Sequence, residues 1–351
     1  MDCGCGRLRD DGCGDAVTTS SVQPKVAIYG AGQYGLEAMR IMHRKGWEIV
    51  AAYNRAGKKV GRDVGELAGI ERLGIPVQDC EAADYASCGA NIAIHSVADR
   101  LDYNWPGHQR LLSAGINVIC HGGESNFPWG SRPELAGRLD DLARANNATF
   151  TGTGIWDYSR IWSGLLVAGS ASELTGLVHR TLTNGEAAGL ELLRVCGGTL
   201  TLEEFGQLNE GMLAGIYKTV PHQVLWALGY EVTDVTEERE PIVDTEPVFS
   251  HALAANIEPG ICLGTRITTR VRTREGVTAT SINELRVLKP GEKEHMVWEV
   301  QGRPETVVTV DRTDSMHSSA ACMVNRVPDV LAADPGIQVI SQLGPMRPQV
   351  L

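Results

Sequence analysis

The chain has 351 residues, of which 43% are hydrophobic and 21% charged, the composition of an ordinary globular protein with room for two domains. A formal net charge of −11 argues against nucleic acid or an anionic membrane surface as a partner. No apolar run approaches the roughly 18 residues that a membrane-spanning helix requires, so we expect no membrane association.

Residues 1–23 are rich in Gly, Asp, Ser and Thr and contain no apolar segment. We therefore predict a disordered extension there rather than a secretory signal, and a cytoplasmic location. Three of the nine cysteines lie in this extension, namely Cys3, Cys5 and Cys13. No histidine or fourth cysteine completes a tetrahedral site with them, and the nine histidines show no paired spacing, so we predict no metal.

A dinucleotide-binding domain is predicted over residues 24–156. It opens with a short apolar strand at Lys25–Tyr29, followed by the sequence GAGQYG, an amphipathic helix and a second strand at Trp47–Tyr53. The G-x-G-x-x-G pattern is weak by itself. In the order strand, glycines, helix and strand it indicates a dinucleotide-binding βαβ unit.

Each glycine of this pattern has a distinct predicted role. Gly30 permits the tight turn, Gly32 lets the backbone approach the pyrophosphate, and Gly35 lets the helix pack closely on the strand. The helix that begins around Gln33 and Tyr34 presents its N–H groups, and the positive end of its dipole, to the pyrophosphate.

The end of the second strand bears on the choice of cofactor. An enzyme strict for NAD usually places an acid there to bind the ribose 2′-hydroxyl. This chain has Asn54, followed by basic residues that include Arg55 and Lys59. A guanidinium can hold a 2′-phosphate, so the sequence favours NADP(H). NAD(H) stays open because Asn can also bind the 2′-hydroxyl.

Strands and helices continue to alternate after this unit. Three further strands are predicted at 91–96, 116–120 and 148–154. Two helices are predicted between them, at 105–115 and 132–147. This alternation predicts an α/β fold with a doubly wound parallel sheet, the Rossmann type. In such sheets ligands bind beyond the carboxyl ends of the strands. His95, near the end of the strand at 91–96, is expected to have a structural role.

The segment HGGESNFPW follows the strand at 116–120 directly. Its first residues, His121 and Gly122, share the carboxyl edge with Ser96, and we predict that all three contact the cofactor. Glu124 has two interpretations. It is either a buried acid that faces the substrate or a residue that caps a helix or lies at the surface.

The alternation of strands and helices ends in the second half of the chain, where longer strands follow one another. We predict a substrate and dimerisation domain at 157–314, of α+β type, with a helix at 156–171 and an open mixed sheet. Its strands are predicted at 174–183, 263–274, 277–288, 294–301 and 304–311. The tail, 315–351, is predicted to return to the first domain through a helix interrupted at Pro328. Asn325 on this helix either contacts the cofactor or has a capping or surface role.

This layout resembles the dihydrodipicolinate reductase-like superfamily, and within it the branch of 2,4-diaminopentanoate dehydrogenases and native amine dehydrogenases. The resemblance rests on VAIYGAGQYG, HGGESNFPW, TGTGIWDY and MVNRVPDVLAADPG. The chain has no His-His pair, which the reductases themselves carry, so that activity is not expected.

The resemblance implies reductive amination of a ketone or aldehyde with ammonia and NAD(P)H, and the reverse deamination of an amine. It also implies that Glu124 is the acid/base residue. We expect Phe127, Trp156 and Tyr158 to line the substrate pocket, and a homodimer.

Two alternatives stay open. One is a 2,4-diaminopentanoate-type amino-acid dehydrogenase, or another NAD(P)H-dependent C=N or C=O reductase. A substrate carboxylate would then require a basic partner such as Arg160 or Lys218. The other is a non-catalytic protein that senses NADP.

Overall fold

The structure is a computed structural model that describes residues 22–187, 189–208 and 215–348. The extension predicted at 1–23 lies outside these residues apart from its last two, as do its three cysteines. The strands, in chain order, are β1 (Lys25–Tyr29), β2 (Glu48–Asn54), β3 (Val77–Asp79), β4 (Ile92–His95), β5 (Asn117–Cys120), β6 (Thr149–Gly152), β7 (Glu173–Asn184), β8 (Val232–Ile242), β9 (Val248–Ser250), β10 (Ala255–Ile257), β11 (Gly264–Thr273), β12 (Thr278–Arg286), β13 (His295–Arg303), β14 (Thr306–Asp311) and β15 (Gly336–Ile337).

Ten α-helices accompany these strands within the described ranges. They are α1 (Gln33–Arg44), α2 (Val64–Ala68), α3 (Leu101–Ser113), α4 (Pro128–Ser131), α5 (Pro133–Ala145), α6 (Ser163–Ala168), α7 (Leu190–Val195), α8 (Leu202–Gly206), α9 (Thr219–Ala227) and α10 (Ser315–Ala332). A π-helical turn, Asp157–Trp162, runs directly into α6. The single helix predicted at 156–171 is therefore two helical segments of different pitch.

The first sheet has seven strands in the order β15-β6-β5-β4-β1-β2-β3, and every neighbouring pair is parallel. The predicted Rossmann fold is thereby confirmed. The strand order reverses between β1 and β4, the place where such sheets bind their ligands. The two edge strands, β3 and β15, have three and two residues and were missing from the sequence prediction.

Helices cover both faces of this sheet. One face packs against α1 and α10, which contribute Met39, Met42, Met323 and Val327 to a common core with the strands. The other face packs against α3 and α5. The last long helix therefore returns to the nucleotide-binding sheet.

The predicted interruption of this last helix at Pro328 is wrong. The helix α10 continues through Pro328 to Ala332. Proline removes one intrahelical hydrogen bond, but Val324, Val327 and Val330 are buried on both sides of it. Their burial holds the segment helical despite the missing bond.

The second sheet has six strands in the order β14-β13-β7-β12-β11-β8. The pair β7–β12 is parallel and the other pairs are antiparallel, so the sheet is mixed as predicted. One face packs against α6, α9 and the π-helical turn through residues such as Leu177, Ala279 and Trp298. Strands β8, β9 and β10 were not predicted.

Among the described residues, none of the helices combines the length and the hydrophobicity that a membrane span needs. The cytoplasmic location stays a prediction.

Candidate active site

The glycine loop has the geometry that dinucleotide binding requires. Gly30 has a φ of +97°, and a Cβ there would lie 2.3 Å from the Ser96 carbonyl oxygen. A Cβ on Gly35 would lie 2.3 Å from the Gly30 carbonyl oxygen, so only glycine lets α1 approach β1 this closely. A Cβ on Gly32 would meet no atom within 4 Å. The space above Gly32, at the start of α1, is open to a phosphate.

A cleft of about 760 Å3 extends from this loop along the carboxyl ends of β1, β2 and β4. Asn54, Arg55, Lys59 and Ser96 line it, as the sequence predicts for cofactor contacts. The Arg55 guanidinium donates a hydrogen bond to the Tyr103 hydroxyl at 3.1 Å. The residues present thus fit a dinucleotide. The glycine backbone would contact its pyrophosphate, and the cations lie beside the end of β2, where its ribose would bind.

A second cavity, of about 180 Å3, lies between the carboxyl ends of β4, β5 and β6 and the second sheet. Its apolar wall is built from Trp156, Ile216 and Tyr217, and the rings of Trp156 and Tyr217 are 5.3 Å apart. Its polar groups include Asp99 and Arg160. This combination suits a small ligand with an apolar body and a polar reacting group.

Arg160 belongs to the wall of this cavity. Its guanidinium carbon lies 4.7 Å from the centre of the Trp156 ring and 5.1 Å from that of Tyr217. Its Nη1 donates to the Asn283 side-chain oxygen at 2.7 Å, and its Nε has no hydrogen-bond partner among the described residues. Burial lowers the pKa of Arg160 to about 9. The π-helical turn carries this side chain inward, a common use of π geometry at functional sites.

Tyr34 and His121 form the side of the cavity nearest α1. Their rings stack at 4.2 Å, and His121 Nε2 lies 2.7 Å from the Ser319 hydroxyl of α10. Burial lowers the pKa of His121, so the ring is neutral at neutral pH. Both residues were predicted as cofactor contacts, and both line this second cavity rather than the larger cleft.

Glu124 does not line the cavity, contrary to its predicted place there. Its Oε2 accepts the backbone N–H of Leu101 at 2.7 Å, at the first residue of α3. Its Oε1 accepts from Arg132 Nε and Nη2, each at 3.1 Å. The carboxylate therefore caps α3, and the positive N-terminal end of that helix stabilises its negative charge. This is the capping role that the sequence left open.

Gly123, one residue earlier, lines the cavity, as do His121 and Asn126 of the same segment. A Cβ there would meet Ile216 at 2.5 Å, Asp99 Oδ1 at 3.4 Å and the Trp156 ring at 3.6 Å. The neighbouring Gly122 lines neither cavity. It packs against the chain instead, since a Cβ on Gly122 would lie 2.5 Å from the Ala98 carbonyl oxygen.

Of the three predicted aromatic pocket residues, only Trp156 lines the cavity. Phe127 is fully buried beside His222 and Trp226, with ring centres 5.1 and 5.5 Å away, so it packs in the core instead. Tyr158 is half-buried and does not line the cavity. A different tyrosine, Tyr217, lines it instead.

Two further predicted cofactor contacts lie away from the cavities. Gln33 is exposed at the start of α1, and Asn325 lies half-buried on α10, outside the lining of both. Their contacts with the cofactor stay predictions. The next residue, Arg326, forms a buried ion pair with Asp157 that the sequence did not predict.

The fold also brings together three buried side chains, from β4, α3 and β5, that the sequence did not connect. His95, His108 and Cys120 have ligand-type atoms within 4.8 Å of one another. Burial lowers the pKa of His95 to about 3 and raises that of Cys120 to about 11, so both are uncharged at neutral pH. His95 stacks on Tyr29 at 4.7 Å, which agrees with the structural role predicted for this histidine.

The fold and its two adjoining cavities define a Rossmann-type oxidoreductase that uses a nicotinamide dinucleotide. The chain belongs to the 2,4-diaminopentanoate dehydrogenase family, since residues 166–349 match the model of the 2,4-diaminopentanoate dehydrogenase C-terminal domain. Residues 24–95 match the N-terminus of dihydrodipicolinate reductase.

Individual relatives agree with this assignment. The chain is 26% identical over 258 residues to 2,4-diaminopentanoate dehydrogenase of Acetoanaerobium sticklandii, covering 66% of this chain and 69% of that protein. An amine dehydrogenase structure from Mycobacterium smegmatis is similar with a TM-score of 0.84 and 28% identity, covering 94% of this chain and 99% of the other. GenD2 from gentamicin A biosynthesis, solved with NAD, shares the fold, with a TM-score of 0.54 and 17% identity over 83% of this chain and 73% of its own.

The family resemblance predicted from the sequence is thus confirmed. The chain is an NAD(P)-dependent oxidoreductase that acts on CH–NH2 donors.

Proposed function

We propose that the chain is an amine dehydrogenase that aminates a ketone or aldehyde with free ammonia and, in reverse, deaminates the amine. The observation that carries the proposal is the small cavity at the carboxyl edge of the nucleotide-binding sheet. It combines an aromatic wall, Trp156 and Tyr217, with a carboxylate, Asp99. The dinucleotide, when bound, supplies the hydride.

The residues of the chain have separate tasks in this proposal. The rings of Trp156 and Tyr217 exclude water and hold the apolar part of the carbonyl compound. A carboxylate in the cavity attracts ammonium and iminium cations and exchanges protons with them. At neutral pH ammonium outweighs ammonia, so a base beside the reacting carbon is needed to release the nucleophile.

A substrate panel tests the proposal. Purified protein is incubated with NADPH or NADH and with ketones, aldehydes or keto acids, each with and without ammonium, and dinucleotide oxidation is followed by absorbance. We expect oxidation that depends on ammonium with at least one ketone or aldehyde. Oxidation at the same rate without ammonium would contradict amination and indicate a plain carbonyl reductase.

The alternative of a diaminopentanoate-type amino-acid dehydrogenase is favoured by one observation. The cavity is lined by two guanidinium groups, Arg160 and Arg312, either of which can hold a substrate carboxylate. Lys218, the other candidate, does not line it. Ammonium-dependent activity confined to keto acids in the same panel would establish this alternative over the first proposal.

For the cofactor we propose a preference for NADP(H), with NAD(H) as the second choice. The cleft beside the end of β2 contains Asn54, Arg55 and Lys59 and no acid at the position that binds a ribose 2′-hydroxyl. The Lys59 ammonium is held near the glycine loop by a hydrogen bond of 2.5 Å to the Ala31 carbonyl oxygen.

Replacing Arg55 with alanine should weaken NADP+ binding by about tenfold to a hundredfold, the usual worth of a charge-assisted hydrogen bond, and leave NAD+ binding within about threefold. Both dissociation constants can be measured by isothermal titration calorimetry. Arg62→Ala is the matched control, because Arg62 belongs to the same basic segment and is exposed outside the cleft. Equal losses for both dinucleotides in Arg55→Ala would refute the assignment.

We also propose a homodimer formed through the face of the second sheet that α6 and α9 leave uncovered. Ile282, Arg180 and Val297 lie side by side across β12, β7 and β13 on that face. A two-fold axis would pair such a face with itself. Sedimentation of the purified chain measures the assembly.

A further inference from the structure

Three carboxylates lie at or near the cavity, and two of them already have strong partners. Glu124 is turned away, towards Leu101 and Arg132. Glu294 accepts the Asn184 backbone N–H at 3.0 Å and the Ser315 hydroxyl at 2.6 Å, and it lies 3.6 Å from Arg312.

The third carboxylate, Asp99, is differently placed. Its Oδ1 accepts the Gly123 backbone N–H at 3.0 Å. Within the part of the chain that the structure describes, it forms no ion pair, and its side chain is exposed to the cavity. Asp99 thus has an oxygen available for a ligand.

Asp99 lines the small cavity and lies close along the chain to residues that line the nucleotide cleft. It lies four residues beyond the end of β4, beside the point where the strand order reverses and a bound dinucleotide crosses the sheet edge. Ser96, between β4 and Asp99, lines the nucleotide cleft. A chain segment of a few residues therefore connects the cofactor site to the carboxylate in the substrate cavity.

Gly123 lies where Asp99 and the apolar wall of the cavity come together. A Cβ on Gly123 would lie 2.5 Å from the Ile216 side chain, 3.4 Å from Asp99 Oδ1 and 3.6 Å from the Trp156 ring. The carboxylate and the apolar wall are therefore close neighbours at the edge of the cavity. An amino group hydrogen-bonded to Asp99 would place its apolar substituent near Trp156 and Ile216.

The charge of Asp99 also affects its surroundings. Burial raises the pKa of Tyr34, and the negative charge of Asp99 raises it further. His121 is held neutral by burial. At this end of the cavity the Asp99 carboxylate adjoins two uncharged rings, and its negative charge attracts a cation.

We propose that Asp99, not Glu124, binds the amino group of the substrate and transfers its proton. The inference rests on the proposed amination function. In that reaction the Asp99 carboxylate takes a proton from ammonium, and the ammonia formed adds to the carbonyl carbon to give a carbinolamine. The Asp99 carboxyl then gives its proton to the departing hydroxyl, which leaves as water.

The iminium ion that remains pairs with the regenerated carboxylate and receives the hydride. The amine then takes a proton from solvent. Carbonyl compound, ammonium, reduced dinucleotide and one proton thereby give alkylammonium, oxidised dinucleotide and water, so that atoms and charge balance. Asp99 gains and loses one proton in each turnover.

The test compares Asp99→Asn with Glu124→Gln. The side-chain amide oxygen that Asp99→Asn introduces would still accept the Gly123 N–H, so the loop is kept while the charge is removed. We expect Asp99→Asn to lower kcat/KM for ammonium by about a hundredfold or more, with a melting temperature within about 2 °C of wild type. Glu124→Gln should lower the melting temperature and keep kcat/KM for ammonium within about threefold.

A binding measurement makes the test independent of turnover. Cyclohexylammonium is titrated calorimetrically into each protein in the presence of NADP+. Wild type and Glu124→Gln should bind it, and Asp99→Asn should lose at least about tenfold in affinity.

Three outcomes overturn the inference: unchanged cyclohexylammonium binding by Asp99→Asn, a loss confined to Glu124→Gln, or no binding by wild type. Absence of any ammonium-dependent oxidation by wild type would instead refute the proposed function. Calorimetry would still decide whether Asp99 binds the amino group.

Discussion

Replacing Arg326 with methionine should lower the free energy of unfolding by about 3–5 kcal/mol, the cost of leaving a buried charge without its partner. Arg326 and Asp157 are both fully buried, with Nε–Oδ2 and Nη2–Oδ1 distances of 2.8 and 2.9 Å. The Thr153 hydroxyl donates to the same carboxylate at 2.9 Å. Methionine fills much of the arginine volume but leaves Asp157 with one neutral donor.

The pH dependence of this loss has a defined sign. Burial raises the pKa of Asp157, and the guanidinium of Arg326 opposes that rise. Without Arg326 the folded-state pKa lies further above the unfolded value. A group of this kind destabilises the fold increasingly as the pH rises through its folded pKa. The deficit of Arg326→Met relative to wild type should therefore shrink on acidification.

Urea titrations followed by tryptophan fluorescence measure both effects. Asp329→Asn serves as the control, since Asp329 accepts a hydrogen bond from Arg326 at 3.0 Å but is 34% exposed. Its removal should cost less than about 1 kcal/mol. A loss of similar size in Arg326→Met would show that the buried pair contributes little.

The ion pair also has a functional consequence. Asp157 follows Trp156, a wall of the small cavity, and Arg326 lies on α10, which packs beside α1 on the nucleotide-binding sheet. The pair therefore fixes the aromatic wall relative to the helix that begins at the glycine loop. We therefore expect a change that loosens this ion pair to disturb both the cavity wall and the cofactor site.

The sequence predicted those parts of the fold that have a periodic or motif signal. The first βαβ unit was recognised because strand, glycines and helix occur in a fixed order, and the edge position of segment 121–129 followed from the alternation. The strands β3 and β15 have too few residues to show a period. Their pairing depends on the neighbours β2 and β6, which exist only in the folded chain.

The direction of a side chain in a turn was beyond prediction from one sequence. HGGESNFPW lies at the expected sheet edge, but the difference of one residue between Gly123 and Glu124 decides which faces the cavity. The start of α3 at Leu101, earlier than the predicted 105, follows from the same Glu124 cap. Asp99 and Tyr217 had no motif to single them out.

Replacing Gly32 with alanine should weaken dinucleotide binding by at least about tenfold, or ~1.4 kcal/mol, without loss of stability. Gly32 has an ordinary extended backbone, with φ −89° and ψ −174°, and an added Cβ would meet no protein atom within 4 Å. The methyl group would instead occupy the space through which the pyrophosphate approaches the first N–H groups of α1. NADPH fluorescence titration and the melting temperature of the free protein report the two properties separately.

Two other glycines supply the comparison that isolates this effect. Gly35→Ala should destabilise the fold itself, because its Cβ would lie 2.3 Å from the Gly30 carbonyl oxygen. Gly137→Ala, in α5, meets no atom within 4 Å and lies outside both cavities, so it should bind NADPH as wild type does and be up to about 1 kcal/mol more stable. Wild-type affinity in Gly32→Ala would mean that the pyrophosphate does not lie over Gly32, and the dinucleotide would then have to bind away from the start of α1.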